Sequence, residues 1–543
     1  MSKSRFTPEE LRAFRKLASA WGKIVSKRAF GESGPGLDVD FRTMADLAQA
    51  VAEGVTEGTL QTLLEQQAQP LEKEPPCPAC GRLCRTQPQK RPLVARGIEL
   101  EQVEPVAYCP DGRRDFFPLR IPLGLDEHGD SSSVLQEIVT ASARFHSFRD
   151  TTYAAHMARI PVRESQLRRL AHLVGEEMID QRDRQVLAYR QRKLPSRTPI
   201  IPSVVAVEVD GGRIRTRQAN TQRGVHEQQN KEDQIACLVT LESKGFADDP
   251  SPEPPETFQE PRRVQRLVQP MKGQAGEANS QEILEESEDR AARLAEIQAI
   301  ERWSPKRLVR TCVASLATSQ SFGPMMAAEA QERHFYEALR RAFVADGSAY
   351  NWSIHQGYFR DFVPIVDFLH VRCYVYSAAR AVSPEEASGW SPYLVWMRSC
   401  WQGRVAEVMA ELEIWQGRLG LPPRGEPQTA AERRDPRPLV AEARTYLTNN
   451  QERMDDPRYR REGLPTTSSL VESLVGEFNT RVKSKQQYWN RPSGAESILQ
   501  LRAALLSEDD RLTRHFANRP GNPFRKKRPA EPESTSTTAQ TAA

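Results

Sequence analysis

The chain has 543 residues, room for two to four domains of ordinary size. Hydrophobic residues make up 38%, and no apolar run of about 18 residues occurs, which excludes a helical membrane protein. A net charge of +4 is too small to name a nucleic-acid partner, so such a partner must be read from local basic clusters.

The opening MSKSRFTPEELRAFRK lacks an apolar segment before a small-residue cleavage site, so the expected location is the cytoplasm. Residues 1–76 read as a helical N-terminal region, with helical periodicity over 7–67 and a linker from Gln66 to Pro76. Residues 77–130 read as a cysteine-bearing module. Cys77, Cys80, Cys84 and Cys109 fall within it, and Cys77-x-x-Cys80 has the spacing of a zinc half-site. The other cysteines, Cys237, Cys312, Cys373 and Cys400, are scattered through apolar segments and read as small core residues. Residues 131–198 read as helical again. FRDTTYAAHMAR, a short Ile160-Pro161-Val162 turn and ESQLRRLAHLVGEEM fit either a helix-turn-helix reading DNA or an ordinary helical hairpin.

A strand pattern then begins. Val204 to Val209 is rich in β-branched residues and ends at Asp210-Gly211-Gly212, and Ile235 to Leu241 reads as a second strand. Residues 246–280 are rich in Pro, Glu and Gln and read as a flexible insertion. Helical pattern is expected from Gln281 to Ala342. Phe343-Val344-Ala345 then leads into Asp346-Gly347, and Pro364-Ile365-Val366 leads into Asp367. A helical insertion over 371–465 follows, with Trp390, Trp396, Trp401 and Trp415 as core residues. A last helix starts near Ser468. The tail over 526–543 reads as disordered, and no repeat occurs. The fold expected for 199–525 is therefore an α/β domain.

Strands that end in carboxylates suit phosphodiester chemistry. Cleavage needs an activated water or 3′-hydroxyl and a stabilised leaving oxygen, and two divalent ions can supply both. Carboxylates brought together imply a cation, because like charges at close range otherwise suppress each other's ionisation. Asp210 and Asp346 each end a strand before a Gly, although an Asp-Gly turn alone gives the same letters. Glu472 lies on SSLVESLVGEFNTRVKSK, where Val471, Leu474, Val475, Phe478 and Val482 form an apolar stripe. Glu472, Gly476, Asn479 and Lys483 fall on the neighbouring stripe. Ser469-x-x-Glu472 also matches a capping box, which would make Glu472 a helix start and nothing more. Asp367-x-x-His370 follows a strand and could ligate metal or hold a phosphate; it also fits a polar pair at a sheet edge. Glu477 and Glu496 rank below Glu472. Basic residues cluster at Arg481, Lys483 and Lys485 and again over 525–528, in patterns that a solvated face or tail also produces.

VAVEVDGGRIRTR, FVADGSAYNW, PIVDFLHV and SSLVESLVGEFNTRVKSKQQYWN with GAESILQLRAALLS together resemble insertion-sequence transposases of the ISKra group. These belong with bacterial DDE enzymes that carry a C/D-x-x-H signature. CPACGRLC and YCPDGRRDFFPL resemble that group's N-terminal cysteine module, so the likeness covers most of residues 77–525. It implies an RNase H-like catalytic core with a helical insertion, preceded by a mostly α-helical region. It implies Asp210, Asp346 and Glu472 as the catalytic acids holding Mg²⁺ or Mn²⁺, with Asp367 and His370 as the D-x-x-H pair beside them. A rival alignment makes Asp367 the second acid. The module departs from the group at Cys109-Pro-Asp-Gly112, where a second cysteine often stands. That leaves two readings: zinc on Cys77, Cys80, Cys84 and Cys109, or a module that has lost its metal.

The resemblance further implies a nucleoid-associated enzyme that binds double-stranded DNA at element ends and target, cleaves a strand and transfers it, as a homo-oligomer. Arg481, Lys483, Lys485 and Asn479 would meet the DNA, and Trp489 would stack on an extruded base unless it is core. The rival functions are a nuclease on the same fold without strand transfer and a non-catalytic DNA-binding descendant of a transposase.

Overall fold

The computed structural model describes residues 6–96, 98–126, 129–217, 228–271, 303–383, 386–423, 435–483 and 488–524. The chain forms two units, residues 1–171 with 510–543 and residues 172–509. Among the described residues, no helix is long and apolar enough to cross a membrane.

The first unit starts with helices α1 (Pro8–Phe30) and α2 (Phe41–Ala68). Thr7 opens α1 through a capping box: its hydroxyl accepts the Glu10 amide at 3.2 Å and the Glu10 carboxylate accepts the Thr7 amide at 2.7 Å. Asp40 caps α2 by accepting the Thr43 amide at 2.8 Å. Neither helix buries a side chain. The cysteine region is built on a three-stranded antiparallel sheet, β1 (Thr86–Ala95), β2 (Ile98–Cys109) and β3 (Arg114–Phe116), in that order. β2 inverts the usual pattern, because Gln102 and Glu104 are buried while Val103 is exposed. Glu104 is tolerated because buried Arg120, on α3 (Arg120–Leu123), donates Nη2 and Nε to its two oxygens at 2.7 and 3.1 Å. Helices α4 (Ser132–Arg144) and α5 (Phe148–Met157) follow, then α6 (Glu164–Arg190), whose residues from His172 onward belong to the second unit. Ile160 and Val162 are buried in the turn between α5 and α6, and His156 Nε2 lies 2.8 Å from the Val162 carbonyl.

The second unit is organised by a five-stranded mixed sheet. Its strands are β4 (Val204–Arg217), β5 (Gln228–Glu242), β6 (Lys306–Ser315), β7 (Arg340–Ala345) and β8 (Val363–Val366), ordered β6-β5-β4-β7-β8. β4, β5 and β6 run antiparallel, and β7 and β8 run parallel to β4. Strand β6 lies in the stretch expected to be helical. Arg310 and Thr311 are buried beside Cys312 and Val313, so charged and polar residues stand at inward positions and mask the strand pattern.

The helices of this unit are α7 (Pro261–Met271), α8 (Ser319–Glu332), α9 (Ala349–Tyr358), α10 (Phe368–Val382), α11 (Glu386–Trp401), α12 (Val405–Leu419), α13 (Pro436–Asn450), α14 (Asp456–Arg461), α15 (Ser469–Val482) and α16 (Pro492–Leu506). Helix α17 (Arg511–Asn518) returns to the first unit. Val205, Val207 and Val209 of β4 enter a core shared with Phe343, Ala345, Val366, Trp396 and Trp401. Residues 246–271 depart from the expected flexible insertion. Val264 is buried, Asp249 binds Arg460 at 2.6 Å, Trp401 Nε1 donates to the Ser251 carbonyl at 2.9 Å, and Arg372 lies 3.8 Å over the Phe258 ring. A few aromatic and aliphatic anchors override a polar composition there. The remainder of that insertion, 272–280, and the tail over 526–543 lie outside the described residues.

Candidate functional site

Three acids follow one register line across the sheet. Val209 of β4 pairs with Ala345 of β7, and Ala345 pairs with Val366 of β8. The next residues are Asp210, Asp346 and Asp367, and the Asp367 amide still donates to the Ala345 carbonyl at 2.9 Å. Neighbouring strands lie ~4.8 Å apart, so the three acids stand abreast on adjacent parallel strands. Asp346 and Asp367 directly follow β7 and β8, whereas β4 continues past Asp210 to Arg217, so the strand end expected at Asp210 is corrected to a position within the strand. Their predecessors are buried in the core, and alternation turns the acids to the other face.

The three are not equivalent. Asp210 Oδ1 accepts the Gly211 amide at 2.7 Å. Asp346 Oδ1 accepts the Ser348 amide at 3.1 Å and Asn351 Nδ2 at 2.8 Å. The second oxygen of each has no partner among the described residues. Asp367 is fully buried and fully engaged: Oδ1 accepts the Leu369 and Ser468 amides at 3.1 and 2.9 Å, and Oδ2 accepts His370 Nδ1 at 2.7 Å. It caps α10 and ties down the start of α15. The described geometry therefore gives Asp367 a positioning part and leaves Asp210 and Asp346 the open oxygens.

Charge follows the same division. Burial pushes Asp210 up to about 6, against the Gly211 amide and His370 and with the help of Asp346 and Asp367. Burial opposes charge on Asp367 too, but His370 and the Ser468 and Leu369 amides hold it below the usual range. Burial also works against a charged His370, yet Asp367, Asp346 and Asp210 raise it to about 9. The four groups thus form one electrostatic unit, with an imidazolium beside two desolvated acids.

Helix α15 carries Glu472, whose side chain lies outside the described residues. Its backbone position is fixed by two buried acids. Asp367 accepts the Ser468 amide, and Glu208 Oε2 accepts the Val471 amide at 2.9 Å. Glu208 is two residues before Asp210 on the same strand face, so the first turn of α15 lies on the face that carries the acids. Ser468 is the N-cap and makes no side-chain capping bond. Val471, Leu474, Phe478 and Val482 are all buried, as the apolar stripe requires.

The Gly after Asp346 is needed for contact rather than for backbone freedom. A Cβ on Gly347 would sit 2.3 Å from the Tyr446 ring and 2.7 Å from Asn450 Nδ2, both on α13. The helical insertion therefore packs directly on the loop that carries Asp346.

The expected DNA contacts separate by exposure. Lys483 is exposed at the end of α15, and Asn479 is half-buried. Lys485 lies outside the described residues. Arg481 is 1% exposed, and burial lowers it to about 10. Trp489 is 7% exposed and lies 5.5 Å from the Arg481 guanidinium. Trp489 exchanges backbone bonds with Arg215 and Arg217 and donates Nε1 to the Val482 carbonyl at 2.9 Å. Arg481 and Trp489 are corrected to interior groups that lock α15 to β4, because their side chains face the protein rather than solvent. Glu477 pairs with Arg310 at 3.3 Å, and Glu496 accepts the Ser315 hydroxyl and the Leu316 amide at 2.8 and 2.7 Å. The motifs did not single out Glu208, Asn351 or Asp233; for Glu208 the available signal was its two-residue offset from Asp210.

In the first unit, Cys77, Cys80 and Cys109 bring their sulfurs within 4.8 Å of one another, the group among the described residues able to hold a metal ion. Gly81, at φ 75°, makes the turn that returns the chain after Cys80, with its amide on the Cys77 carbonyl at 2.9 Å. The Gly112 amide points at Cys109 Sγ from 3.4 Å and lowers that thiol. The Arg82 amide opposes the shift, but neighbouring Cys109 and Cys77 push Cys80 up to about 11. Cys84 is buried, raised by desolvation and by Cys109, and its sulfur lies 3.4 Å from the Arg82 carbonyl. Crowded thiols of this kind suit a soft divalent ion such as zinc. In the same unit, Arg91, Pro92, Arg163, Ser165, Gln166 and Arg169 line a cleft of about 550 Å³ at the start of α6.

No protein-family model and no curated protein matches the chain.

Proposed function

We propose that the chain is an insertion-sequence transposase of the DDE type, with an RNase H-like core that cleaves DNA and joins a strand to target DNA. The observation that carries this reading is the register line Val209–Ala345–Val366, which sets Asp210 and Asp346 side by side on adjacent parallel strands. A first antiparallel hairpin extended by a third strand, then two strands parallel to the first, supports an RNase H-like core. The start of α15 on the acid-bearing face supports Glu472 as the third acid.

Asp210, Asp346 and Glu472 would hold Mg²⁺ or Mn²⁺, and the unpartnered second oxygens of Asp210 and Asp346 fit such ions. When bound, the ions activate a water or a 3′-hydroxyl and stabilise the leaving oxygen. The protein's own groups do the rest. Asp367 and Glu208 hold α15 in place, Asn351 orients Asp346, and His370 balances the acids. Lys483 meets a phosphate beside the site. The cleft's arginines, Arg91 on β1 and Arg163 and Arg169 at the start of α6, favour phosphate too, which supports double-stranded DNA as the partner of a helix-turn-helix. The cysteine module holds zinc, and the working form is a homo-oligomer that brings two element ends together in the nucleoid.

Joining separates this function from that of a nuclease. The chain, Mg²⁺ and a labelled duplex carrying an element end should give a product covalently linked to supercoiled target DNA. Cut strands without any linked product would assign a nuclease instead. DNA bound with no cut strand under any divalent ion would assign a binding protein.

A further inference from the structure

The β4–β5 hairpin carries another acid on the same face. Gly212 of β4 pairs with Asp233 of β5, and Asp210 pairs with Ile235. Directly paired residues share a face, and Asp210 and Gly212 share one by alternation, so Asp233 faces the same side as Asp210. Diagonal neighbours of this kind lie roughly 7–8 Å apart, a span that two carboxylates can close around one cation.

Asp233 is in an unusual state for a carboxylate. It is 0% exposed, and both of its oxygens are buried without a hydrogen-bond partner among the described residues. An ionised carboxylate left so is strongly disfavoured unless a cation joins it. Burial opposes charge on it most, its own backbone amide and Lys483 favour charge, and Asp210 opposes it. Space has been kept for it. A Cβ on Gly212 would meet Asp233 Oδ1 at 2.9 Å and Oδ2 at 3.3 Å, so only glycine there lets the carboxylate lie against the strand. Asn479 Oδ1, on the same stripe of α15 as Glu472 and Lys483, is also buried without a partner. Two oxygen acceptors with no donor suit a cation better than packing.

We propose that Asp233 belongs to the cation site as a fourth acid, sharing an ion with Asp210 across the β4–β5 hairpin. The inference rests on the metal-dependent reading of Asp210 and Asp346. It makes Asp233 a ligand and Gly212 the residue that admits it.

The test uses the full chain with Fe²⁺ in place of Mg²⁺. Fe²⁺ with ascorbate and peroxide cuts the backbone beside the bound ion. The wild-type protein should be cut near 210–212, 232–234 and 345–347, and Mg²⁺ should suppress every cut. Asp233→Asn, nearly isosteric, should lose the cuts at 232–234, keep those at 345–347, and need ~10-fold more Mg²⁺ for suppression at 210–212. Gly212→Ala, which keeps the acid but takes its space, should do the same, with unchanged circular dichroism in both variants. An unchanged cutting pattern and unchanged Mg²⁺ suppression in Asp233→Asn would overturn the proposal and leave the wider reading standing. No Mg²⁺-suppressed cuts near Asp210 or Asp346 in wild type would instead overturn the wider reading, and the proposal with it.

Discussion

The cysteine cluster and the row of acids solve the same problem, gathering like-charged ligands, at different scales. Cys77 and Cys80 are brought together by one turn closed at Gly81, and Cys109 joins from the end of β2. Asp210, Asp346 and Asp367 come from three strands and meet only when β4, β7 and β8 are in register. The first site depends on a local turn and a small sheet, and the second on a whole core. Disturbing a ligand should therefore unfold the cysteine module but leave the acid-bearing sheet standing and silent.

The largest expected effect is on the acid row. Asp210→Asn or Asp346→Asn should lower strand cleavage by ~1000-fold or more, the equivalent of several kcal/mol of lost charge stabilisation. Circular dichroism should not change, since each acid uses only one oxygen in local bonds. Cleavage within tenfold of wild type in either variant would remove that acid from the site.

Asp367→Asn sharpens the division among the acids. Its oxygens bond Leu369, Ser468 and His370, so the change should loosen the start of α15 and lower cleavage by ~10–100-fold. Glu208→Gln should act the same way through Val471. A loss with Asp367→Asn as large as that with Asp210→Asn, alongside an active Asp346→Asn, would move the second catalytic acid to Asp367.

The cysteine module breaks differently. Cys80→Ser should abolish zinc co-purification, lower the melting temperature of the chain and remove only part of the β-sheet circular dichroism signal. Elemental analysis of purified protein gives the first answer. Wild-type protein with no metal would mean that the Cys77, Cys80 and Cys109 sulfurs form a reduced core.

Much of the row was legible because each acid follows a hydrophobic run: VVAVEVDGG, FVADG and PIVD each announce a strand and an acid, although β4 runs on past Asp210. The partners that position it were not. Glu208 sits within a run of valines, and only the folded face shows that it reaches α15. Asp233 lies in the polar first half of β5, and only the pairing with Gly212 sets it beside Asp210. Strand β6 was hidden by inward Arg310 and Thr311, and β2 by inward Gln102 and Glu104. Buried polar residues defeat a periodicity reading wherever a specific partner offsets their burial. Arg481 failed in the opposite sense, since a basic residue near an acid suggests DNA when it closes a core, and Trp489 takes the core position that was its alternative reading.

The smallest expected effect is on stability against pH in the first unit. Burial, with Asp126 alongside, pushes Asp130 up to about 7. The folded state holds that proton where the unfolded chain has released it. The stabilisation is complete below the usual carboxylate range near 3.8 and is lost as pH rises through 7. The slope is at most ~1.4 kcal/mol per pH unit. Asp130→Asn should flatten it in denaturant melts between pH 4 and 7. An equal slope in the variant would place the proton elsewhere.

The most direct test of the central claim is Mg²⁺-dependent cleavage of duplex DNA spanning the element end and its flank. It compares wild type with Asp210→Ala, Asp346→Ala, Asp367→Ala and Glu472→Ala. Wild type should cut, the Asp210, Asp346 and Glu472 variants should not, and Asp367→Ala should keep residual cutting. Wild-type DNA binding without cutting, or cutting that survives all four changes, would contradict the claim.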